Sequence, residues 1–234
     1  MIEPSPQDIA DTKALARQKF GHDRLIAVTY FHPATGEPLV EVLFADLSYV
    51  DAVSYYDARS VSILQARSAL ICERLLWPAA EVLGPLREEW GALDTKLERE
   101  LRGELGFVDG GALTRPLTLA TAPPGLSAER AGELLKAEPG RLWSVYHRGN
   151  GLACVLRQPQ PAVWHLSMTA MNEAHKDRKS QLCPSLDVIG DHSVWCPAPT
   201  LRQHIEERPG RAVDLNEPWC DLGGAAAKTS ARRF

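Results

Sequence analysis

The first half of the chain contains the run RLIAVTYFHPATGEPLVEVLF, residues 24–44. Its first run, LIAVTYF at 25–31, is rich in β-branched and aromatic residues, which are typical of a strand. Proline and glycine punctuate residues 32–38, which indicates a turn, and LVEVLF at 39–44 follows as the return strand. The stretch therefore predicts a β-hairpin.

Helical patterns precede and follow this hairpin. Residues 7–19 carry apolar residues at helical spacing, and a longer pattern runs from about Tyr49 to Trp77. Pro78 is expected to end that pattern and to begin the next helix, which Gly91 ends. The apolar face of the longer pattern, expected to be buried, holds Val61, Leu64, Ile71 and Leu75. The arginines of the same pattern, expected mainly on other faces, are Arg59, Arg67 and Arg74.

The last helical pattern of the first half, residues 92–105, carries a leucine at every fourth position. We expect this leucine stripe to be core rather than a surface for a partner, because burial drives most amphipathic helices. Residues 108–126 are rich in Gly, Pro, Thr and Ala, which predicts a linker that includes one short strand at 117–120. The stripe consists of Leu93, Leu97, Leu101 and Leu105.

The second half repeats this order of elements. Ser127 is the expected N-cap of a helix, and RLWSVYHRGNGLACVLR at 141–157 predicts another hairpin. Its Asn150-Gly151 pair is a strong signal for a hairpin turn. Residues 161–176 are expected to be helical, and a short segment and a further helix follow.

A local alignment supports an internal duplication. From Pro78 and Pro197 onward, the two halves align without a gap as far as a glycine in each half. We therefore expect Trp77 and Trp195, which lie just before this match, to occupy equivalent and largely buried places. Pro218 is expected to prevent a regular counterpart of the leucine-striped helix in the second half.

The prediction that results is an α+β fold with two similar small units, each a β-hairpin followed by helices. A chain of 234 residues with 44% hydrophobic residues is long and apolar enough to bury such cores. The predicted boundaries are 1–107 for the first unit, 108–126 for a Gly/Pro-rich linker, 127–223 for the second unit and 224–234 for a flexible tail.

The composition limits the kinds of binding partner and the cellular compartment that we expect for this chain. The chain has 26 Lys plus Arg against 30 Asp plus Glu, whereas nucleic-acid binders usually show a basic excess, so we expect no nucleic-acid partner. We also expect no membrane association, since no apolar run approaches the roughly 20 residues of a spanning helix. The N-terminus shows no apolar signal segment, and the 5 cysteines form no C-x-x-C pair, so a reducing cytoplasm is the expected location.

The sequence carries none of the common catalytic motifs, such as the phosphate loop or the nucleophile elbow. We therefore expect no catalytic residues and no cofactor. The second half does contain a series of residues of the types that bind zinc. Their spacing matches no common zinc module, so we expect no bound metal. These residues are His165, His175, Cys183, His192, Cys196 and His204.

Three runs in the second half form a characteristic succession: VLRQPQPAVWHLSM at 155–168, IGDHSVWCPAPTLRQHIEERPG at 189–210, and DLGG at 221–224. The residues that carry it are Arg157, Pro159, Trp164, Trp195, Pro197, Leu201, Ile205, Pro209, Leu222 and Gly223. The first half matches more loosely, through Leu75, Trp77, Pro78, Leu86, Leu105 and Gly106. This succession resembles that of tail assembly chaperones of tailed bacteriophages and related contractile injection systems.

The resemblance implies a non-catalytic binding protein. Such chaperones bind a long helical tape-measure client in the cytoplasm and keep it soluble until the tail tube forms around it. A client of this kind exposes apolar stripes, which grooves between helices can cover. We expect Tyr55, Tyr56 and Trp90 to contact the client, although the two tyrosines also fit a partly buried helix edge. The alternatives are a small metal-dependent hydrolase built on the second half and a structural tail or interaction module.

Overall fold

The computed structural model of the protein has an α+β fold, as the sequence predicts. The residues that the structure describes are 1–32, 35–108, 110–176 and 182–223. The chain divides into two units, Met1–Leu105 (unit 1) and Gly106–Phe234 (unit 2). Within the described ranges, every helix is too short or too polar to cross a membrane.

Unit 1 begins with helix α1 (Pro6–Phe20) and the predicted hairpin of strands β1 (Leu25–Phe31) and β2 (Pro38–Ala45). The elements that follow are α2 (Tyr49–Val61), α3 (Ile63–Arg74), β3 (Leu75–Trp77), α4 (Ala80–Glu89) and α5 (Leu93–Glu104). The strands form an antiparallel sheet in the order β1-β2-β3, so β1 lies at an edge.

The helical pattern predicted from Tyr49 to Trp77 is not one helix. It breaks at Ser62, whose backbone is extended (φ −152°, ψ 107°) and whose hydroxyl accepts a hydrogen bond from the amide of Gln65. Serine suits this break because its side chain caps a helix start better than it supports a helix interior. Trp77 lies in β3 because its backbone pairs with that of Leu43, a contact remote in sequence.

The leucine stripe of α5 is core, which confirms the prediction: all of its leucines are buried. Ile71 is also buried, as predicted. Val61 and Leu64 were expected on the same buried face, but both are exposed. The reason is their position, since they flank the break at Ser62, where α2 ends and α3 begins.

Unit 2 begins with β4 (Leu113–Pro116) and α6 (Ala128–Ala137), and Ser127 caps α6 as predicted. The second predicted hairpin follows as β5 (Leu142–His147) and β6 (Leu152–Arg157). The remaining elements are α7 (Pro161–Lys176), α8 (Leu182–His192), β7 (Ser193–Trp195), α9 (Leu201–Glu206) and α10 (Arg211–Leu222). These strands form an antiparallel sheet in the order β4-β5-β6-β7.

Much of the segment expected to be a linker, 108–126, belongs instead to unit 2. Strand β4 lies within it and pairs with β5, whereas the strand was expected at 117–120. Leu117 and Leu126 lie in the core of unit 2 with residues of α6, β5 and β6. The Gly/Pro-rich composition does not reveal this, because strand pairing depends on residues far along the chain. The predicted tail, 224–234, lies outside the described residues.

The two units share an order of elements. In unit 1 the order is α1, β1, β2, α2, α3, β3, α4 and α5. In unit 2, after β4, it is α6, β5, β6, α7, α8, β7, α9 and α10. The last strand of each pairs at its tryptophan, Trp77 with Leu43 and Trp195 with Val155. Both tryptophans are half-buried, not largely buried as expected. Internal duplication remains a hypothesis.

Two further findings differ from the predicted alignment of the halves. Val82 is exposed, whereas Leu201, aligned with it, is buried. Helix α10 also continues through Pro218, which was expected to prevent a regular counterpart of the leucine-striped helix. Proline removes one helical hydrogen bond, but the buried side chains of Leu215 and Trp219 keep α10 packed in the core.

Candidate partner-binding site

The three residues predicted to contact a partner lie in different environments. Tyr55 on α2 is buried, and its hydroxyl donates a 2.5 Å hydrogen bond to Oε1 of Glu98 on α5. Tyr56 on α2 and Trp90 after α4 are half-buried, and the ring of Trp90 meets that of His32 edge to face at 5.1 Å. Tyr55 is therefore more buried than expected of a contact residue, but it also lines the groove between α2 and α3, so its role as a contact stays a prediction.

Glu98 joins α2 and α3 to α5. Its buried carboxylate accepts hydrogen bonds from Nε of Arg59 at 3.2 Å and from Nε of Arg67 at 2.7 Å, in addition to the one from Tyr55. Arg67 also donates to the hydroxyl of Thr95 at 2.8 Å. We call these five residues the Glu98 cluster. The two arginines of the cluster point inward. Helical spacing alone did not predict this, because their partner, Glu98, lies far along the chain.

The Glu98 cluster suits a structural role better than acid–base chemistry. Burial opposes ionisation of Glu98, but hydrogen bonds from Tyr55 and the two arginines hold the pKa of its carboxyl below the usual value. Burial and the hydrogen bond to Glu98 raise the pKa of Tyr55. A general acid or base works best with a pKa near the operating pH, and both shifts lead away from neutrality.

Arg74 joins α2 and α3 at the other end of this helical hairpin. Its buried guanidinium lies 2.9 Å from Oδ2 of Asp51, in the first turn of α2. It also lies 4.3 Å from the centre of the Phe20 ring, within the range of a cation–π interaction. The α2–α3 hairpin is thus supported by ionic contacts near both of its ends.

A groove of about 220 Å³ lies between α2 and α3 (the α2–α3 groove). At the end near Arg74 its lining is polar, with Asp51 and Glu73. Towards the break at Ser62 the helices carry three exposed apolar residues in near succession, which we call the apolar tip: Val61, Ile63 and Leu64. The small residues that line the groove are Ser54, Ala58, Ala66 and Ala69.

Sequence reasoning missed the apolar tip. The prediction assumed one continuous helix over residues 49–77, and the helical period of such a helix places Val61 and Leu64 on the core face. The one signal that could have located the tip is Ser62, a residue type that favours the start of a helix. A break there changes which face of the second helix turns inward.

Three of the zinc-type residues of the second half make local structural contacts: His192, Cys196 and His204. His192 packs against the ring of Trp219 at 5.4 Å, and the thiol of Cys196 donates to a nearby backbone carbonyl. The side chains of His175 and Cys183 lie outside the described residues. In the described part of the chain, no group of three or more His, Cys, Asp or Glu residues is arranged to hold a metal ion.

A buried polar cluster in unit 2 joins the β5–β6 turn to α9 and α10. The side-chain amide of Asn150 donates to the carbonyl of Gly106 at 3.1 Å and to the carboxylate of Asp214. Arg211 donates to the carbonyl of Asn150 at 3.0 Å, and its guanidinium lies 3.1 Å from Nδ1 of His204. Burial, with the charge of Arg211 beside it, lowers the pKa of His204 to about 4. These groups bond to each other inside the unit, so the cluster fixes the turn.

The chain matches no protein-family model, no curated protein and no solved structure. Its function is accordingly inferred from the surface of the α2–α3 hairpin.

Proposed function

We propose that this chain is a non-catalytic cytoplasmic binding protein that holds a helical segment of a client protein on its α2–α3 hairpin. The tail assembly chaperones that the chain resembles likewise bind a helical client, the tape-measure protein. The observation that carries the proposal is the apolar tip, where the side chains of Val61 and Leu64 are 87% and 73% exposed. Single exposed apolar residues are ordinary, whereas contiguous ones mark interaction sites.

The α2–α3 groove beside the tip suits an α-helix better than an extended strand. It lies between two helices, and its alanines allow the backbone of a third helix to approach closely. An amphipathic helix places its apolar stripe in grooves of this kind. Glu73 is exposed at the opposite end of the groove, so we expect a client helix with a basic residue at that end.

The Glu98 cluster and Arg74 support binding by keeping the hairpin in place before the client arrives. Ordering a mobile surface on binding reduces affinity, and a preorganised surface avoids that loss. Both helices are joined to the rest of unit 1 by charged hydrogen bonds. The hairpin therefore offers a rigid platform with an apolar end.

Co-expression with the longest open reading frame of the same gene cluster tests the proposal. The wild-type chain is expected to keep the long protein soluble and to co-purify with it. The double variant Val61→Ser/Leu64→Ser is expected to lose both effects. Burial of each aliphatic side chain contributes about 1.5–3 kcal/mol, so the affinity is expected to fall by about 100-fold or more.

A matched control uses two leucines of unit 2. Leu119 and Leu166 are 62% and 63% exposed, and Leu119→Ser/Leu166→Ser is expected to bind the client like the wild type. Equal loss in both double variants would contradict the assignment to the α2–α3 hairpin. A long protein that is equally soluble alone, with no co-purification, would contradict the proposal itself. Tyr56 and Trp90 stay predicted contacts, and their alanine variants are expected to weaken the complex without unfolding unit 1.

A further inference from the structure

Strand β1 forms an open edge of the sheet in unit 1. The sheet order is β1-β2-β3, and among the described residues no strand pairs with the outer side of β1. Proteins usually protect such an edge with charged residues or proline. The sequence of β1, LIAVTYF, contains neither. Helix α5 packs beside β1, so a further strand can reach this edge only through the space between the two elements.

The outward backbone groups of β1 belong to Leu25, Ala27 and Thr29. The amide of Asp46, just after β2, donates to the carbonyl of Arg24 at 3.1 Å, so the backbone of Arg24 faces β2. In an antiparallel pair, successive residues alternate between facing the partner strand and facing away. Every second residue from Leu25 onward therefore directs its N–H and C=O groups away from β2.

A groove of about 710 Å³ follows this edge (the β1 groove). One wall is the segment Ala27–Phe31, which spans roughly 16 Å at the usual rise per residue of a strand. The side chain of Phe31 is 54% exposed at its end. The other wall is α5, which contributes Lys96, Arg99, Glu100 and Glu104. The groove has room along its length for an extended segment of four or five residues.

Unit 2 shows the corresponding edge covered. β5 begins the hairpin of unit 2 as β1 begins that of unit 1, and each sheet continues with the return strand and a short third strand. In unit 2 an additional strand, β4, pairs antiparallel with β5 from Leu113 opposite Tyr146 to Pro116 opposite Trp143. The chain thus contains an example of the kind of segment that such an edge accepts.

We infer that the β1 groove binds an extended segment of a partner protein that carries a basic residue, and that this segment adds to the sheet as an antiparallel strand. Charge complementarity supports the basic residue. Arg99 and Glu100 pair with each other at 3.0 Å, whereas Glu104 is exposed in the last turn of α5. Lys96 lies about 12 Å away from it along the helix axis. Strand β4 carries such a basic residue, Arg115.

A synthetic peptide with the sequence ALTRPL, residues 112–117, tests the inference on the full chain. Binding is expected to slow hydrogen exchange at the amides of Leu25, Ala27 and Thr29, and to leave the amides that face β2 unchanged. Unchanged exchange at all three outward amides in millimolar peptide would overturn the inference.

Two variants at one position separate edge pairing from other modes of binding. Ala27→Pro removes an outward N–H group and leaves the bonds between β1 and β2, so it is expected to abolish protection by the peptide. Ala27→Ser keeps the N–H group and is expected to bind like the wild type. Equal protection in both variants would overturn pairing at this edge.

A charge swap keeps the inference testable if Ala27→Pro unfolds. The peptide ALTEPL, with glutamate in place of arginine, is expected to bind the wild-type chain about fivefold more weakly than ALTRPL. Glu104→Lys is expected to reverse this preference. Lysine is favourable in the last turn of a helix, so the variant should not lose stability. Equal binding of both peptides to both chains would overturn the basic partner segment.

A second copy of the chain is the competing occupant of this edge. A concentration-dependent dimer in sedimentation, dissociated by Ala27→Pro, with no protection by the peptide, would assign the edge to a second copy and overturn the peptide segment. The β1 groove and the α2–α3 groove share no lining residue. Peptide binding is therefore expected to survive in Val61→Ser/Leu64→Ser, so this inference and the proposed function fail separately.

Discussion

The hydroxyl of Tyr55 provides the sharpest test of the Glu98 cluster. Tyr55→Phe removes one oxygen atom and keeps the ring, so it deletes the 2.5 Å hydrogen bond to Glu98 without opening a large cavity. The carboxylate keeps its hydrogen bonds from Arg59 and Arg67. The variant therefore isolates the contribution of one donor to the stability of unit 1.

The expected loss in the free energy of unfolding is about 2 kcal/mol. A hydrogen bond to a charged group contributes a net ~1.5–3 kcal/mol. The side chain of Glu98 is only 4% exposed, so water does not readily replace the lost donor. Because the two arginines remain bound, the lower part of that range applies.

Urea denaturation of the full chain, followed by fluorescence, measures this loss. The matched control is Tyr146→Phe on β5, a half-buried tyrosine, which is expected to stay within about 0.5 kcal/mol of the wild type. The effect should also depend on pH. The folded pKa of Glu98 lies below its ordinary 4.5, so its stabilisation is present above that value and is lost as the pH falls through the folded pKa. The wild type and Tyr55→Phe should therefore differ more at pH 7 than at pH 3.

One result would contradict the stabilising role of the Tyr55 hydroxyl. If Tyr55→Phe unfolds like the wild type but no longer retains the client, Tyr55 is a contact residue and the Glu98 cluster does not support the hairpin. A loss of stability with client binding retained is the expected outcome.

Four further substitutions and a pH series test the rest of the structure. Because the folded pKa of His204 is about 4 against an ordinary 6.5, the free energy of unfolding should fall by up to about 3 kcal/mol between pH 6.5 and pH 4, and a flat profile would contradict this. Trp219→Ala should lower the free energy of unfolding by about 3–5 kcal/mol. Trp77→Ala should lower it by less, because the side chain of Trp77 is half-buried. A larger loss for Trp77→Ala than for Trp219→Ala in urea denaturation would contradict the burial described. In Gly210→Ala the added Cβ would lie 2.2 Å from the backbone of Gly106, so the midpoint temperature of thermal unfolding should fall. Gly132→Ala adds a Cβ inside helix α6 with no atom within 4 Å and should instead stabilise by about 0.5–1 kcal/mol.

Local patterns in the sequence predicted much of the fold. The leucines of α5 recur every fourth residue, and a period of this kind depends only on neighbouring residues, so the prediction of a buried stripe was correct. The two hairpins were also predicted within a residue or two, because turn residues lie beside their strands. Ser127 was a correct N-cap for the same reason.

Contacts between distant residues were not predictable in this way. Strand β4 forms because β5 lies beside it, and Arg59 turns inward because Glu98, on another helix, accepts its hydrogen bond. The candidate site was missed for a related reason. Periodicity shows that Val61 and Leu64 share a face with apolar residues, but it does not show whether that face extends beyond the core.

Crosslinking from the α2–α3 hairpin to the client tests whether this hairpin holds the client helix. The thiol of Cys72 on α3 is exposed, so a photo-crosslinker can be attached there in the purified complex. The control carries the crosslinker at Leu166→Cys, an exposed position of unit 2, in a Cys72→Ser background. Crosslinks from Cys72 to client residues spaced three and four apart, and none from the control, are the predicted result. Crosslinks from the control position alone would contradict the assignment of client binding to the α2–α3 hairpin.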